Sequence, residues 1–215
     1  MNLKKISITY IILIFVFGFN KIFSQEELAK EIIDEFSIVI KNYNTISMDF
    51  QHTFKNDNVK INEETYGSLE ISGDSFRLDM QQQLIVNNIQ THWIYLKEMN
   101  ELTIIKNDPD DEDILNPIRM IIMNKDNYKY AYIEAKIIND ERSHIIELYP
   151  KESNPIMKIR VYISALEKNL KIMEIFDKNG GIFSYTIKKF RTNIKLKPFN
   201  FDQSKYTELD INDLR

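Results

Sequence analysis

Residues 84–104, LIVNNIQTHWIYLKEMNELTI, decide the fold because they hold three apolar stretches separated by two turns. As a β-strand, QTHWIYL would place Thr91, Trp93 and Tyr95 on one face and His92, Ile94 and Leu96 on the other. Residues 87–88 and 99–100 contain the asparagines that tight turns tolerate. The stretch predicts three consecutive antiparallel strands, with Trp93, the only tryptophan, and Tyr95 on one face of the middle strand. Neither face is wholly polar, so these strands either close a packed core or line a hollow.

The rest of the chain has the same β character after one predicted helix. Residues 25–44 carry apolar side chains at spacings of three and four, which predicts an amphipathic helix packed on a sheet. Alternating stretches then recur to the C-terminal region, and residues 179–181, NGG, indicate a hairpin turn. Gly67 marks either a bulge or a close backbone approach. About ten or eleven strands result, and one curled antiparallel sheet with a few helices is the economical architecture.

The first 24 residues have the pattern of a secretory signal peptide. A basic start, MNLKK, precedes an apolar run and a small residue, Ser24. The run of about 14 residues is shorter than the roughly 20 needed to span a bilayer. We therefore expect cleavage after Ser24, residence in the periplasm and a single mature domain, 25–215. A retained membrane anchor is the alternative.

The charge balance and the absence of cysteine restrict the function. Without the three lysines of the signal segment, 25 basic residues face 32 acidic ones, a net charge of −7. A chain this acidic lacks the basic footprint that nucleic acid requires. No cysteine is available for a disulfide or for a lipid anchor.

No motif in the sequence indicates catalysis. The three histidines, His52, His92 and His144, stand alone in strands without metal-ligand spacing, which favours packing or surface positions. There is no nucleophile elbow and no phosphate-binding glycine loop. Residues 108–113 are rich in acid, but they lack the glycine and spacing of a calcium loop, so a solvated loop is favoured. Scattered carboxylates leave a hydrolase open, yet we expect neither an enzyme nor a metal or other cofactor.

A short apolar segment follows the acidic loop. Pro117 suits a first helical turn, and the next residues are almost all apolar. The segment forms either a helix packed into the core or a movable lid, for which methionine side chains are suitably adaptable. Its candidate lid residues are Ile118, Met120, Ile121 and Ile122.

Five stretches in this order resemble the outer-membrane lipoprotein carrier (LolA-like) family over nearly the whole mature chain, as a distant member. They are ISMDFQHTF (46–54), YGSLEIS (66–72), the 84–104 stretch, NPIRMIIM (116–123) and PFNFDQ (198–203). Two features depart from the family. SGDS stands where an Arg-Pro pair is usual, and residues 87–89, NNI, replace the turn that usually precedes the tryptophan strand.

The resemblance implies a mainly β (α+β) fold: an incomplete, strongly curled antiparallel β-barrel with a few helices covering the opening. Its hollow would hold acyl chains, and Arg77 is the candidate for the residue that fastens the lid. The residues expected to line the lipid-binding cavity are Met48, Phe50, Leu69, Phe76, Leu78, Trp93 and Tyr95.

The resemblance also implies a function. A periplasmic carrier, or chaperone, would shield the acyl chains of lipoproteins in transit from the inner to the outer membrane, as part of outer-membrane biogenesis. Its partners would be lipidated proteins, an inner-membrane ABC exporter and an outer-membrane receptor, and it would act as a monomer. Two alternatives use the same fold: a carrier or sensor of another lipid or acyl compound, and a regulatory module that senses lipoproteins.

Overall fold

The computed structural model describes residues 25–106, 125–153 and 155–215, which contain one α-helix and twelve strands. Helix α1 spans residues 25–41. The first six strands are β1 (Ile46–Asn56), β2 (Ile61–Ser72), β3 (Ser75–Met80), β4 (Gln83–Asn87), β5 (Thr91–Leu96) and β6 (Glu101–Lys106). The other six are β7 (Tyr128–Ile138), β8 (Glu141–Pro150), β9 (Ile156–Ser164), β10 (Leu170–Asp177), β11 (Gly181–Thr192) and β12 (Asp210–Asp213).

All twelve strands belong to one sheet, in the order β12-β6-β5-β4-β3-β2-β1-β11-β10-β9-β8-β7. Neighbouring strands are antiparallel, except that β12 runs parallel to β6. The pairing of β1 with β11 joins two meanders, β1–β6 and β7–β11. Strands β7 and β12 stand at opposite ends of the order, so the sheet of the described residues curls without closing.

The predicted fold class is confirmed, and the described residues contain one strand more than the upper end of the predicted ten or eleven. The extra strand is β12, whose four residues are all exposed and therefore show no alternation that a sequence pattern could reveal. The predicted N-terminal helix and the three strands of residues 84–104 are present.

The two faces of the sheet carry different apolar cores. Residues directly opposite each other in neighbouring strands share a face. The series that crosses β1 to β5 in this way is Met48, Leu69, Leu78, Ile85 and Ile94. We call the face that carries this series the inner face, because the larger buried cluster, which includes residues of α1, lies on it.

Helix α1 covers part of the inner face with one apolar stripe. Its five inward residues are each 5% exposed or less: Ala29, Ile32, Ile33, Phe36 and Ile40. Burial of each large apolar side chain stabilises the fold by about 1.5–3 kcal/mol. The spacing of the stripe therefore accounts for both the helix and its attachment to the sheet.

On the opposite, outer face the C-terminal segment crosses strands β2 to β6. We call residues 197–213 the C-terminal strap. Its Phe201 is buried in a second cluster with Tyr95, Leu102 and Ile104, and Trp93 packs against that cluster. The strap is also held by Asn100, whose side-chain amide donates to the carbonyls of residues 207 and 208 at 2.9 and 2.8 Å. Strand β12 then extends the sheet beside β6.

Candidate functional site

The inner face is only partly covered, and this makes it the candidate binding surface. Beyond the buried cluster, apolar side chains from both meanders remain half-buried against its edge. They are Ile71, Met80, Ile94, Tyr130, Tyr132, Ile156, Phe183, Tyr185 and Ile187. A half-buried apolar surface inside a curled sheet offers contact area to an apolar ligand, whereas a fully packed barrel would bury it.

An aromatic group forms the centre of this surface, where β1 pairs with β11. The register places Phe54 opposite Phe183 and His52 opposite Tyr185. The rings of Phe54 and Phe183 stack with centroids 4.6 Å apart, and those of His52 and Tyr185 lie 4.8 Å apart. Phe50 contacts Tyr185 edge to face at 5.7 Å and connects the group to the buried core. The aromatic group is thus one continuous apolar patch with two polar members.

Its polar members are held in a desolvated environment. Nδ1 of His52 lies 3.3 Å from the hydroxyl of Thr65 on β2. Burial lowers the pKa of His52 and raises the pKa of Tyr185. Both side chains are therefore neutral near pH 7, which suits an apolar surface. The sequence showed His52 as an isolated strand residue, since its partner is distant in the chain and only the β1–β11 register brings the two together.

Five of the seven predicted cavity residues come together on the inner face. Met48, Phe50, Leu69, Phe76 and Leu78 all belong to the larger cluster, each 4% exposed or less. They form the floor against which α1 and the half-buried surface pack. That this floor adjoins bound acyl chains stays a prediction.

The placement of Trp93 and Tyr95 differs from the expectation. Trp93 is opposite Val86 and Ile104, and Tyr95 is opposite Leu84 and Leu102, all on the outer face. Strand parity explains the difference, because the inner-face series reaches β5 at Ile94 rather than at its neighbours. Tyr95 contacts Phe201 and Tyr206 of the C-terminal strap, and Trp93 packs against the same cluster, so the seven residues do not line one surface.

Arg77 also lies on the outer face and binds the C-terminal strap. Its guanidinium makes an ion pair with Glu70 at 2.7 Å and donates to the carbonyl oxygen of Pro198 at 2.5 Å. The same group stands 5.4 Å from the ring centroid of Phe199. The predicted lid residues Ile118, Met120, Ile121 and Ile122 lie outside the described residues, as do the predicted signal peptide and the acidic loop. A role of Arg77 toward that lid stays a prediction.

The outer face of the second meander carries an ionic network. Glu147, 4% exposed, accepts hydrogen bonds from Lys158 at 2.7 Å and from Arg160 at 2.6 and 2.9 Å. The hydroxyl of Tyr149 also donates to it. Burial alone would raise the pKa of Glu147, but these donors outweigh it and lower the pKa to about 2. The charged groups of this network pair with one another, which indicates a structural role.

A groove of about 370 Å³ separates the C-terminal strap from strands β2 to β4. Charged side chains of both signs line it, among them Glu70, Asp79, Asp202 and Lys205. Such a lining does not suit an acyl chain, because an apolar ligand would strip water from these charged groups and offer them no hydrogen bond. The inner face is therefore the better candidate for an apolar ligand.

Two further features of the described ranges bear on the chemistry. No three His, Cys, Asp or Glu side chains there are grouped closely enough to ligate a metal ion. Within the same ranges, no helix combines the length and the apolar character needed to cross a membrane.

Comparison with known proteins identifies the class. The sequence profile of the family described as outer membrane lipoprotein carrier protein LolA matches residues 41–204. The chain therefore belongs to the LolA family, whose fold suggests a lipid- or lipoprotein-binding carrier and whose members are known as non-enzymatic binding proteins. A search among curated proteins finds no match.

Solved structures are similar to this chain at low sequence identity. An uncharacterized conserved protein from Thermus thermophilus has a TM-score of 0.52 and 13% identity, with 86% of this chain and 98% of that one covered. LprF from Mycobacterium bovis has a TM-score of 0.49 and 12% identity, with 81% and 98% covered. A LolA superfamily protein from Nitrosomonas europaea has a TM-score of 0.42 and 10% identity, with 80% and 97% covered.

Proposed function

We propose that this protein is a periplasmic carrier that binds the acyl chains of lipoproteins on its inner face and shuttles them from the inner to the outer membrane. One observation carries the proposal: within a LolA-family fold, the inner face continues from a buried core into half-buried apolar and aromatic side chains. No catalytic step is part of this function.

The energetics of the cargo explain why such a surface is needed. Each methylene that leaves water is worth about 0.8 kcal/mol, so a long acyl chain requires an extended apolar shelter. Aromatic and methionine side chains supply that contact and still adapt to the chain. Because the half-buried residues are not packed as tightly as a core, the cargo can also be released.

The route of the cargo follows from the same proposal. The N-terminal 24 residues would direct export and be cleaved, and the mature protein would act as a monomer. It would receive lipidated proteins from an inner-membrane ABC exporter and deliver them to an outer-membrane receptor. A carrier of this kind docks on membrane proteins, because the acidic mature chain has little attraction to anionic lipid.

Native mass spectrometry of the mature protein, purified without detergent from the periplasm of its own cells, tests the proposal. We expect a bound species that carries an acylated N-terminal cysteine peptide. A free lipid or another acyl compound in its place would establish the alternative cargo on the same fold. A protein that stays empty even after incubation with spheroplasts would contradict carriage.

A matched pair of variants locates the cargo. Phe183 is half-buried on the inner face, and its chain neighbour Ile182 is half-buried on the outer face. We expect Phe183→Lys to lose the bound species and Ile182→Lys to keep it. Equal cargo in the two variants would contradict binding on the inner face.

A further inference from the structure

Two polar atoms interrupt the aromatic group. His52 and Tyr185 are directly opposite each other in the β1–β11 pairing, and only one ring nitrogen of His52 has a partner, Thr65. Within residues 25–106, 125–153 and 155–215, Nε2 of His52 and the Tyr185 hydroxyl make no hydrogen bond. A polar atom on an apolar surface is costly to cover unless the covering molecule offers a hydrogen bond. A purely hydrocarbon ligand would therefore be disfavoured at this point.

We propose that His52 and Tyr185 form a polar anchor that binds the carbonyl oxygen of an ester or amide at the head of a bound acyl chain. This inference rests on the proposed function, because it requires the chain to lie on the inner face. It adds to that function by selecting acyl compounds over plain hydrocarbons.

Hydrogen-bond chemistry supports a carbonyl as the occupant. When the Thr65 hydroxyl donates to Nδ1, the imidazole proton resides on Nε2, and Nε2 then becomes a donor. The Tyr185 hydroxyl, on a ring whose centroid lies 4.8 Å from that of His52, is the second donor. Donors on two neighbouring rings suit the two lone pairs of one carbonyl oxygen. Since burial lowers the pKa of His52 and raises that of Tyr185, both side chains are neutral at neutral pH, and in this tautomer both donate.

The surrounding rings place this anchor at the border between the buried core and the half-buried part of the inner face. Phe50, on one side, is 3% exposed and belongs to the buried cluster. Phe54 and Phe183, on the other side, are half-buried toward the ends of their strands. A carbonyl held between them would fix the head of the chain while its methylenes follow the half-buried apolar side chains.

The test compares two ligands that share a dodecyl chain, one ended by an N-methylamide and the other by a methyl group. Each displaces a fluorescent naphthylamine probe from the mature protein, and the inhibition constants are compared between variants. Tyr185→Phe removes one hydroxyl and keeps the ring. We expect it to weaken the amide by roughly three- to tenfold, the range of one hydrogen bond, and to leave the hydrocarbon unchanged.

Further variants separate anchoring from folding. His52→Phe should repeat the selective loss, and His52→Gln should restore much of the amide affinity because glutamine still donates. Tyr66→Phe is the matched control, since Tyr66 is 64% exposed and bonds Glu64 away from the inner face. This control should leave both affinities unchanged.

The outcomes distinguish the two proposals. A selective loss of amide affinity supports the anchor. Equal changes for amide and hydrocarbon in Tyr185→Phe would overturn the anchor while leaving apolar binding on the inner face intact. If neither ligand displaces the probe from the wild-type protein, binding of acyl chains by this surface is itself overturned.

Discussion

Gly67 lies directly opposite Phe50 in the β1–β2 pairing, and the Phe50 ring occupies the space that a side chain at position 67 would need. A Cβ there would stand 2.7 Å from Cζ of Phe50 and 2.9 Å from the carbonyl oxygen of Asp79. Both separations are far inside van der Waals contact. Of the two alternatives for this glycine, the close approach is the one observed, since the β1–β2 register shows no shift.

Replacing Gly67 by alanine should destabilise the protein. The added methyl group overlaps a buried ring and a backbone oxygen, and such overpacking costs about 1–3 kcal/mol. Urea unfolding measures the free energy of unfolding. Gly73→Asn is the control, because Gly73 has φ +56° and open space around it, and asparagine tolerates that conformation. A Gly67→Ala variant as stable as wild type would contradict the packing of Phe50 described here.

The ionic network at Glu147 predicts a loss of stability in acid. The folded pKa of this carboxyl, about 2, lies below its ordinary value of 4.5. The unfolded chain therefore binds more protons between these values, and stability is present above pH 4.5 and lost as the pH falls toward 2. The shift corresponds to about 3 kcal/mol. Urea unfolding at pH 5.5 and pH 2.5 should show this loss in wild type and a smaller one in Glu147→Gln.

The same variant should be destabilised at pH 7 by about 2–3 kcal/mol, because Lys158 and Arg160 lose the carboxylate they share. Glu174→Gln is the control: its carboxylate is 23% exposed and 3.5 Å from Arg160, so less than about 1 kcal/mol is expected. Equal effects of the two substitutions would show that Glu147 has no special position in the network.

A second acid effect should come from two histidines of the inner face, His52 and His144. Burial lowers the pKa of His52, and burial with Lys168 and Arg142 lowers that of His144 from the ordinary value of 6.5. Protonation thus favours the unfolded chain. Stability should be complete above about pH 7 and decline as the pH falls through 6.5. Urea unfolding at pH 7.5 and 5.5 measures the decline, and His52→Gln with His144→Gln should reduce it. An unchanged slope in the double variant would assign the decline to other groups.

Local patterns were sufficient to predict much of this fold. Period-two alternation identified the strands of both meanders, and period 3.6 identified α1, because each element buries one face. The turn at residues 179–181 was explicit in the sequence, and the structure has its Gly180 at φ +85°. Strand β12 was missed, since its pairing with β6 depends on a contact distant in sequence and not on its own pattern.

The site was harder to predict than the fold. Alternation shows that Trp93 and Ile94 point to opposite faces, but not which face is the inner one. That choice depends on what covers each face, namely α1 on one side and the C-terminal strap on the other. The pairing of His52 with Tyr185 was likewise not predictable from local sequence. It depends on the register between two strands that are distant in the chain, and the whole sheet sets that register.

The opposite orientation of Trp93 and Ile94 yields a direct test of where the acyl chain binds. A brominated acyl chain quenches tryptophan fluorescence only at short range, and the sheet separates side chains on its two faces. In wild type, whose only tryptophan packs against the outer-face cluster of Tyr95, Leu102, Ile104 and Phe201, we expect little quenching as the probe saturates. In Trp93→Phe/Ile94→Trp, the tryptophan is moved to the inner face, and strong quenching is expected at the same occupancy.

The Phe201→Ala variant provides the control for the outer face. Loss of this ring uncovers the outer-face cluster, so the emission of Trp93 should shift to the red without ligand, while quenching by the brominated chain should stay weak. Thermal unfolding verifies that each variant is folded. Strong quenching of Trp93 in the wild-type protein would place the chain beside the outer face and would restore the original expectation that Trp93 and Tyr95 line the cavity.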